Sequence, residues 1–266
     1  MILEFGTAGW SYKDWTGTVY PEKIPSGFNH LNFIASQFDF VEVNTTFYRI
    51  PDQKLVKGWI YKTSGLDNFK FWIKLNQIFT HNRKYSESDV QDFEYSISPL
   101  EDAGKMGGLL IQFPYSFKLT DQNLEYLLRL SDKFTNFIKA VEFRHNSWMN
   151  SELFDLFEQK GLVWVNIDQP VISQSIPTTS IVTNREISYF RLHGRNYKSW
   201  FSNEGRDERY NYLYSQNELI EISEHIKTAA GNAKKIVISG NNHYKGAAVK
   251  NLIQLKKILT GNKISG

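Results

Sequence analysis

The sequence predicts an α/β protein built as a single (β/α)8 barrel of the TIM type. Eight short apolar runs alternate with helical patterns, and the 266-residue length suits such a barrel, which typically has about 250 residues. Seven of the eight runs end in polar residues. An open doubly wound sheet shows the same alternation, but it more often has a glycine-rich phosphate loop after its first strand, and no such motif occurs here. No linker or composition shift divides the chain, so we predict one domain over residues 1–266.

The predicted strands and helices follow one another in order. Apolar runs bounded by glycine, proline or polar residues indicate buried strands, at residues 5–9, 40–44, 69–74, 108–113, around 142, 162–167, 187–192 and 235–239. Apolar residues three and four positions apart indicate helices, at residues 29–38, 55–60, 88–103, 121–130, 151–159, 219–230 and 247–259. Asp52 is placed to cap the second helix. Residues 168–186 contain two prolines and no helical pattern, which predicts a degenerate crossover between strands six and seven.

Composition limits the chemistry. The chain has no cysteine, which excludes disulfides, thiolate metal sites and thiol nucleophiles. The net charge of +3 permits a nucleic-acid partner without requiring one. The chain has neither a signal-peptide pattern nor an apolar segment of roughly 20 residues, so we expect a cytoplasmic protein with no membrane partner. The sequence leaves the oligomeric state open.

Charged residues in the fifth strand need an explanation. Glu142 and Arg144 alternate with Val141 and Phe143, so the two charges share one face of the strand. A strand of a parallel sheet is buried on both faces, and buried charges must be paired or used in function. The sequence therefore predicts either an ion pair of Glu142 with Arg144 or Arg191 that closes the barrel, or a functional site.

Polar residues gather at the carboxyl ends of the strands, where TIM barrels build their active sites. They are Glu42, Asn44, Lys74, Gln112, Glu142, Arg144, Asn166, Asp168, Arg191, His193 and Asn241. Any one of them is explained as well by the solvated rim of a sheet. The whole ring favours a ligand site, because so many ionisable groups at one mouth perturb one another's pKa values.

Histidines and aromatic residues extend this candidate site. His81 and His145 each follow a strand, but no metal motif such as H-E-x-x-H occurs. We therefore assign no metal ligand and no cofactor, with a divalent metal as the alternative. Trp10, Tyr12 and Tyr48 either wall a pocket or plug the barrel top. The segment from Gly194 to Tyr214, which contains Arg195, interleaves cations with aromatics; it suits a phosphate or a sugar, or a lid packed by its own rings.

Several motifs resemble one known family over essentially the whole chain. They include Gly6-Thr7-Ala8-Gly9-Trp10, Glu42-Val43-Asn44-Thr45-Thr46-Phe47-Tyr48, Phe71-Trp72-Ile73-Lys74, Gln112-Phe113-Pro114, Val141-Glu142-Phe143-Arg144-His145 and Arg191-Leu192-His193-Gly194-Arg195. In this order they are similar to the YecE-like family, domain of unknown function 72. The resemblance implies a TIM-type barrel. It supplies no activity and no catalytic residue.

The residues themselves favour an enzyme that acts on a polar anionic small molecule, such as a phosphorylated or carboxylated sugar derivative, by acid and base chemistry. We predict Glu142 as general acid or base with His193 as its partner, and Asp168 and Glu42 as further catalytic candidates. The predicted substrate-binding residues are Arg144, Arg191, Arg195, Lys74, Asn44, Gln112, Asn241, Trp10, Tyr12, Tyr48, His81 and His145. Two alternatives stay open: a metal-assisted phosphodiesterase or nuclease-like protein that binds nucleic acid, and a non-catalytic ligand-binding module.

Overall fold

A closed parallel barrel forms the centre of the protein. A computed structural model describes residues 2–198 and 208–261, and within them eight strands pair in sequence order, with β8 returning to β1. The strands are β1 (Ile2–Ala8), β2 (Phe40–Val43), β3 (Lys70–Lys74), β4 (Met106–Gln112), β5 (Lys139–Glu142), β6 (Leu162–Asp168), β7 (Ile187–Leu192) and β8 (Lys235–Gly240). The predicted TIM-type barrel is confirmed.

Helices surround the barrel in the order that the periodicity predicts. They are α1 (His30–Ala35), α2 (Gln53–Lys62), α3 (Glu87–Asp102), α4 (Asp121–Ser131), α5 (Ser151–Gln159), α6 (Gln216–Ala230) and α7 (Ala247–Thr260). Residues 169–186, all of them described, contain no helix, so the degenerate crossover after β6 is confirmed. No helix in the described ranges combines the length and the apolarity that crossing a bilayer requires.

Side-chain caps fix where the helices begin. Asp52 accepts a hydrogen bond from the backbone N–H of Leu55 at 2.7 Å, as expected of a cap for α2. Helix α3 starts earlier than predicted because Ser86 and Asp89 form a reciprocal capping box. Thr120 caps α4, which begins at Asp121 as predicted. The start of α3 moves by one residue, and the barrel is unchanged.

Aromatic rings fill the barrel below its mouth. Phe40, Trp72 and Tyr189 are fully buried, and the rings of Trp72 and Tyr189 meet edge to face with centroids 4.7 Å apart. Gly108 makes room for this layer, because a Cβ at that position would lie 2.6 Å from the Trp72 ring. Side chains two positions apart on a strand share a face. The residues two positions beyond these rings are Glu42, Lys74 and Arg191, so a charged layer lies directly above an aromatic one.

Candidate functional site

An arginine joins two buried carboxylates at the top of the barrel. Arg191 of β7 donates two hydrogen bonds to Glu42 of β2, each 2.8 Å long, and one of 2.6 Å to Glu142 of β5. The phenol of Tyr189 donates to the same Glu42 carboxylate at 2.7 Å. Arg191 is 1% exposed and both glutamates are fully buried. The ion pairs therefore connect three separate strands away from solvent, and one negative charge is left over for a second cation.

Arg144 adds a second guanidinium to this cluster. Its Nη2 lies 2.6 Å from Oε1 of Glu142, and its Nη1 donates to Oε1 of Gln169 at 2.6 Å. Burial acts to raise the pKa of Glu142, but Arg144, Arg191 and His193 together hold that pKa well below its usual value. Glu142 is therefore a permanently ionised carboxylate held between two guanidinium groups.

His193 is neutral and fixed in one tautomer. Its Nδ1 faces two donors, Nδ2 of Asn241 at 2.8 Å and Nη2 of Arg144 at 3.5 Å, so this nitrogen acts as the acceptor. The ring proton is thereby assigned to Nε2, which lies 3.4 Å from Oε1 of Glu142. Burial and then the charge of Arg144 lower the pKa of His193 to about 3, against the opposing effect of Glu142. The imidazole positions the Glu142 carboxylate without carrying a charge.

A neutral buried histidine makes stability depend on pH. His193 binds a proton in the unfolded chain below its ordinary pKa of 6.5 but in the folded protein only near pH 3, so stability falls as pH decreases between these values. We expect this histidine to contribute about 1.4 kcal/mol per pH unit in that window. Urea unfolding of the wild type and of His193→Gln at several pH values checks the prediction. Equal slopes in the two proteins below pH 6.5 would contradict it.

A cavity of about 450 Å³ opens above the ionic cluster. Its lining residues come from the ends of β1 to β4, β7 and β8: Tyr12, Asn44, Thr45, Phe47, Tyr48, Lys74, His81, Gln112, Arg191, Arg209, Tyr210, Asn241 and His243. Eight of the predicted site residues lie here together. A volume in this range suits a small molecule.

Lys74 faces this cavity without direct contact to a carboxylate of the described residues. Its Nζ donates to Oε1 of Gln112 at 2.7 Å and lies 4.3 Å from the centroid of the Phe47 ring. Burial, followed by the charge of Arg191, lowers the pKa of Lys74 to about 7; Glu142 and Glu42 oppose this shift. Near neutral pH the side chain therefore exists both as amine and as ammonium.

His81 stands beside Lys74 on the cavity wall. Its Nδ1 lies 2.9 Å from the hydroxyl of Thr80, and its ring packs edge to face on Phe47 with centroids 4.8 Å apart. Burial and then the charge of Lys74 lower the pKa of His81 to about 4. The cavity thus contains a neutral imidazole and an amine near its titration point.

Aromatic residues also line this cavity. Tyr12 stacks on His243 with ring centroids 4.4 Å apart and an angle of 7° between the planes, and its hydroxyl donates to the carbonyl of Ala8. Tyr48 is 58% exposed at the rim. Tyr12 and Tyr48 thus both line the pocket. Flat rings of this kind suit contact with a sugar or another planar ligand face.

A second compartment of about 250 Å³ adjoins the first. It shares Gln112, Arg209 and Tyr210 with the larger cavity, and its own residues are Pro114, Tyr115, Arg144, Gln169 and Ser175. Arg209 and Tyr210 belong to the segment between β7 and α6 and lie on the boundary of the two compartments. The mouth therefore has two connected parts, with Lys74 in one and Arg144 in the other.

Asp168 and Arg195 lie outside this mouth. Asp168 accepts hydrogen bonds from Arg195, from the Tyr214 hydroxyl at 2.6 Å and from the Thr178 hydroxyl at 2.6 Å. Arg195 also bonds to Glu221 of α6 at 3.1 Å. We expected both residues in the mouth. Their contacts instead join the crossover and the segment after β7 to the outer face of the barrel.

His145 and Trp10 are also occupied elsewhere. His145 bonds through Nδ1 to the Ser147 hydroxyl and through Nε2 to the side chain of Gln174, both at 2.9 Å. The Trp10 ring packs against Trp59 of α2 with centroids 6.0 Å apart. Neither residue lines the two mouth compartments. Of the loop after Gly194, residues 199–207, including Trp200 and Arg206, lie outside the described residues.

A larger groove of about 570 Å³ lies at the other end of the barrel. It runs between the end of α5 and the segments that lead into β7 and β8, and includes an exposed ion pair of Arg185 with Glu158 at 3.3 Å. In TIM barrels this amino-terminal face serves stability, whereas function is built at the opposite face. The buried ionic cluster also belongs to the opposite face. We therefore take the mouth as the candidate site.

Similarity to known proteins agrees with this fold. A family model described as "Protein of unknown function DUF72" matches residues 4–265. The chain belongs to the DUF72 family. The resemblance drawn from the motifs is confirmed. YunF of Bacillus subtilis strain 168, a UPF0759 protein, is 29% identical over 273 residues, with 97% of this chain and 95% of YunF covered.

Solved DUF72 structures superpose on the whole barrel. A DUF72 family protein of Thermotoga maritima MSB8 is 34% identical, with a TM-score of 0.87 and coverage of 98% of this chain and 100% of that one. A DUF72 family protein of Enterococcus faecalis V583 is 27% identical, with a TM-score of 0.85 and coverage of 97% and 96%. None of these names states an activity. Family membership thus fixes the fold, and function must be argued from the site.

Two side chains of this DUF72 site were not predicted, although the sequence contains a signal for each. Tyr189 stands two positions before Arg191, so strand alternation alone places both on one face, and the phenol indeed contacts Glu42. Gln169 follows directly after Asp168 and contacts Arg144. At the end of β6, Gln169 therefore faces the mouth. The expected orientation of Asn166 and Asp168 was wrong, because their side chains contact the crossover instead.

The described residues of the DUF72 mouth do not form a ready set of metal ligands. Among residues 2–198 and 208–261, no three of the His, Asp and Glu side chains come together as a metal site. The carboxylate oxygens of Glu42 and Glu142 instead contact the guanidinium groups of Arg191 and Arg144. The described residues thus give no support to the metal-assisted alternative.

Proposed function

We propose that the protein is an enzyme that binds a polar, anionic small molecule in the barrel mouth and transfers a proton to or from it through Lys74. The observation that carries this proposal is the charge of the cavity wall. Lys74, Arg144, Arg191 and Arg209 line the two compartments, and none of their described lining residues is acidic. Glu42 and Glu142 balance the charges of Arg144 and Arg191 from below, so Lys74 and Arg209 supply the net positive charge. Such a surface attracts an anion into a confined space.

The anion would be held by residues that do not titrate near neutral pH. Guanidinium groups bind carboxylate and phosphate through paired hydrogen bonds and keep their charge. Glu42 and Glu142 hold Arg191 in place from below. The amide side chains of Asn44, Gln112 and Asn241 also line the larger cavity and suit hydroxyl groups of a sugar-like ligand.

Proton transfer is better assigned to Lys74 than to Glu142. A general acid or base works best when its pKa is near the working pH. The pKa of Glu142 is held far below that range by Arg144 and Arg191, and the carboxylate is fully buried. Lys74 faces the cavity and has a pKa of about 7. In this proposal Glu142 and His193 are positioning residues, and Lys74 is the catalytic one.

Sulfate binding tests the anion site, because sulfate keeps its charge over the relevant pH range. Lys74 is protonated below a pH of about 7, so we expect sulfate to bind more tightly as pH falls through this value. The pH dependence should disappear in Lys74→Met. Arg209→Met should weaken sulfate binding on the order of tenfold at every pH. Isothermal titration calorimetry at constant ionic strength measures these affinities.

The matched control is Arg185→Met. Arg185 is exposed at the opposite end of the barrel, so its removal changes the net charge by the same amount as Arg209→Met without touching the mouth. It should keep wild-type sulfate affinity. A wild-type protein that does not bind sulfate, or an equal loss in both arginine variants, would rule out the proposed anion site.

A further inference from the structure

We infer that Lys74 is also a nucleophile, which forms an imine with the carbonyl group of a substrate that carries a carboxylate or phosphate nearby. This inference rests on the proposed anion-binding function and names the substrate class: small oxo acids and phosphorylated ketones or aldehydes. It goes beyond proton transfer because it makes the side chain a covalent participant. Three features of the mouth carry it.

The first feature is the chemical surroundings of the Lys74 amine. Arg144, Arg191 and Arg195 each have a carboxylate partner at 2.6–2.8 Å. The described contacts of Lys74 are instead an amide oxygen and an aromatic ring, which leave its charge uncompensated by direct contact. A lysine placed beside another cation in a desolvated pocket is held partly as the free amine. The free amine, unlike the ammonium, has a lone pair that can attack a carbonyl carbon.

The second feature is access. Lys74 lies at the carboxyl end of β3 and lines the cavity of about 450 Å³ together with Arg191 and Arg209. A carbonyl compound whose anionic group contacts these guanidinium groups would place its carbonyl in the same cavity as the amine. Holding both reactants in this way gives the advantage in rate that confined, oriented reactants have over free ones. An anionic group on the substrate thus accounts for the guanidinium groups in the cavity, and a carbonyl group accounts for the free amine of Lys74.

The third feature is a second titratable group beside the first. The nitrogen lone pair of Lys74 forms a C–N bond while the carbonyl π electrons move to oxygen. Two N–H protons then leave with that oxygen as water, and a C=N bond remains. His81 lines the same cavity and its pKa is lowered to about 4, so it is neutral and can relay these protons. No oxidant, reductant or further reactant is needed for this step.

Reduction with sodium borohydride tests the imine directly, because the reagent converts it to a stable secondary amine. The full-length protein is treated with borohydride in the presence of pyruvate, dihydroxyacetone phosphate or hydroxyacetone, and the adduct is located by peptide mass spectrometry. We expect an adduct on Lys74 with both anionic compounds, reduced at least tenfold with uncharged hydroxyacetone. An adduct with only one of the two anionic compounds would show whether carboxylate or phosphate is the preferred group.

Two lysine variants and one competitor make the result decisive. Lys74→Arg keeps a cation and should lose the adduct, whereas Lys250→Arg, on the exposed surface of α7, should keep it. Added sulfate should suppress the adduct by occupying the anion site. Adducts spread over surface lysines, or none on Lys74 in a protein that still binds sulfate, would overturn the imine and leave the proposed function standing. Absence of both sulfate binding and adduct would overturn both.

Discussion

Replacing Arg191 with methionine is expected to destabilise the folded protein by about 3–5 kcal/mol, the usual cost of removing one partner from a buried ion pair. Arg191 makes three hydrogen bonds to two carboxylates that have no access to water. Methionine fills much of the space but leaves Glu42 without its guanidinium partner and Glu142 with Arg144 alone. Urea unfolding followed by circular dichroism measures the change in the free energy of unfolding.

A control and a double variant separate charge from packing. Arg129→Met removes an arginine from the exposed pair with Glu125, and we expect it to change stability by less than about 1 kcal/mol. Combining Arg191→Met with Glu42→Gln removes one of the stranded charges, so the double variant should recover part of the loss. A loss below about 1 kcal/mol in Arg191→Met would show that water or local movement compensates these carboxylates.

The barrel was predictable because its signals are local. Alternating apolar strands and helices depend on neighbouring residues, and so does the loop after β6 with its prolines. The pairing of Glu142 was predictable for a similar reason. Glu142 and Arg144 occupy one face of one strand, and burial on both faces of a parallel sheet required a partner for the carboxylate. The structure places both Arg144 and Arg191 on Glu142.

The orientation of β6 was not predictable in this way. We expected Asn166 and Asp168 in the mouth because TIM barrels build their sites at the carboxyl ends of the strands. The crossover after β6 has no helix, so the polar groups that it buries against the barrel need partners from the strand. Asn166 accepts from Thr179 and from the backbone of Ile181, and Asp168 accepts from Thr178. A polar face directed at a polar crossover has the same sequence pattern as one directed at a ligand.

The charge state of Lys74 depends on contacts that no local pattern contains. In the sequence, Lys74 is one of several cations at strand ends. Its pKa, however, reflects burial and the guanidinium group of Arg191, which lies over one hundred residues later in the chain. Only the closed barrel brings β3 and β7 to the same cavity. The position of the cation at the mouth therefore follows from the sequence, but only the tertiary structure shows that the amine is poised to lose its proton.

Lys74→Met is expected to stabilise the protein while abolishing the pH dependence of the proposed sulfate binding. The unfolded chain holds a proton on Lys74 up to its ordinary pKa of 10.5, whereas the folded protein loses it at about 7, so the lysine opposes folding most strongly below pH 7 and progressively less up to pH 10.5. One pKa unit corresponds to about 1.4 kcal/mol, and the lost bond to Gln112 offsets part of the gain. We expect a net stabilisation on the order of 1–2 kcal/mol at about pH 6 that shrinks by about pH 9.

Urea unfolding at the two pH values checks this gain, with Lys70→Met as the matched control. Lys70 begins the same strand that Lys74 ends, so its removal deletes a lysine from β3 without touching the mouth. A Lys74→Met protein that is less stable than the wild type at both pH values would show that the contacts of the amine outweigh its burial. A stabilised Lys74→Met protein whose sulfate binding no longer depends on pH would support a functional role for this lysine. A buried residue that lowers the free energy of unfolding indicates a chemical role, because packing alone would favour an apolar side chain at that position.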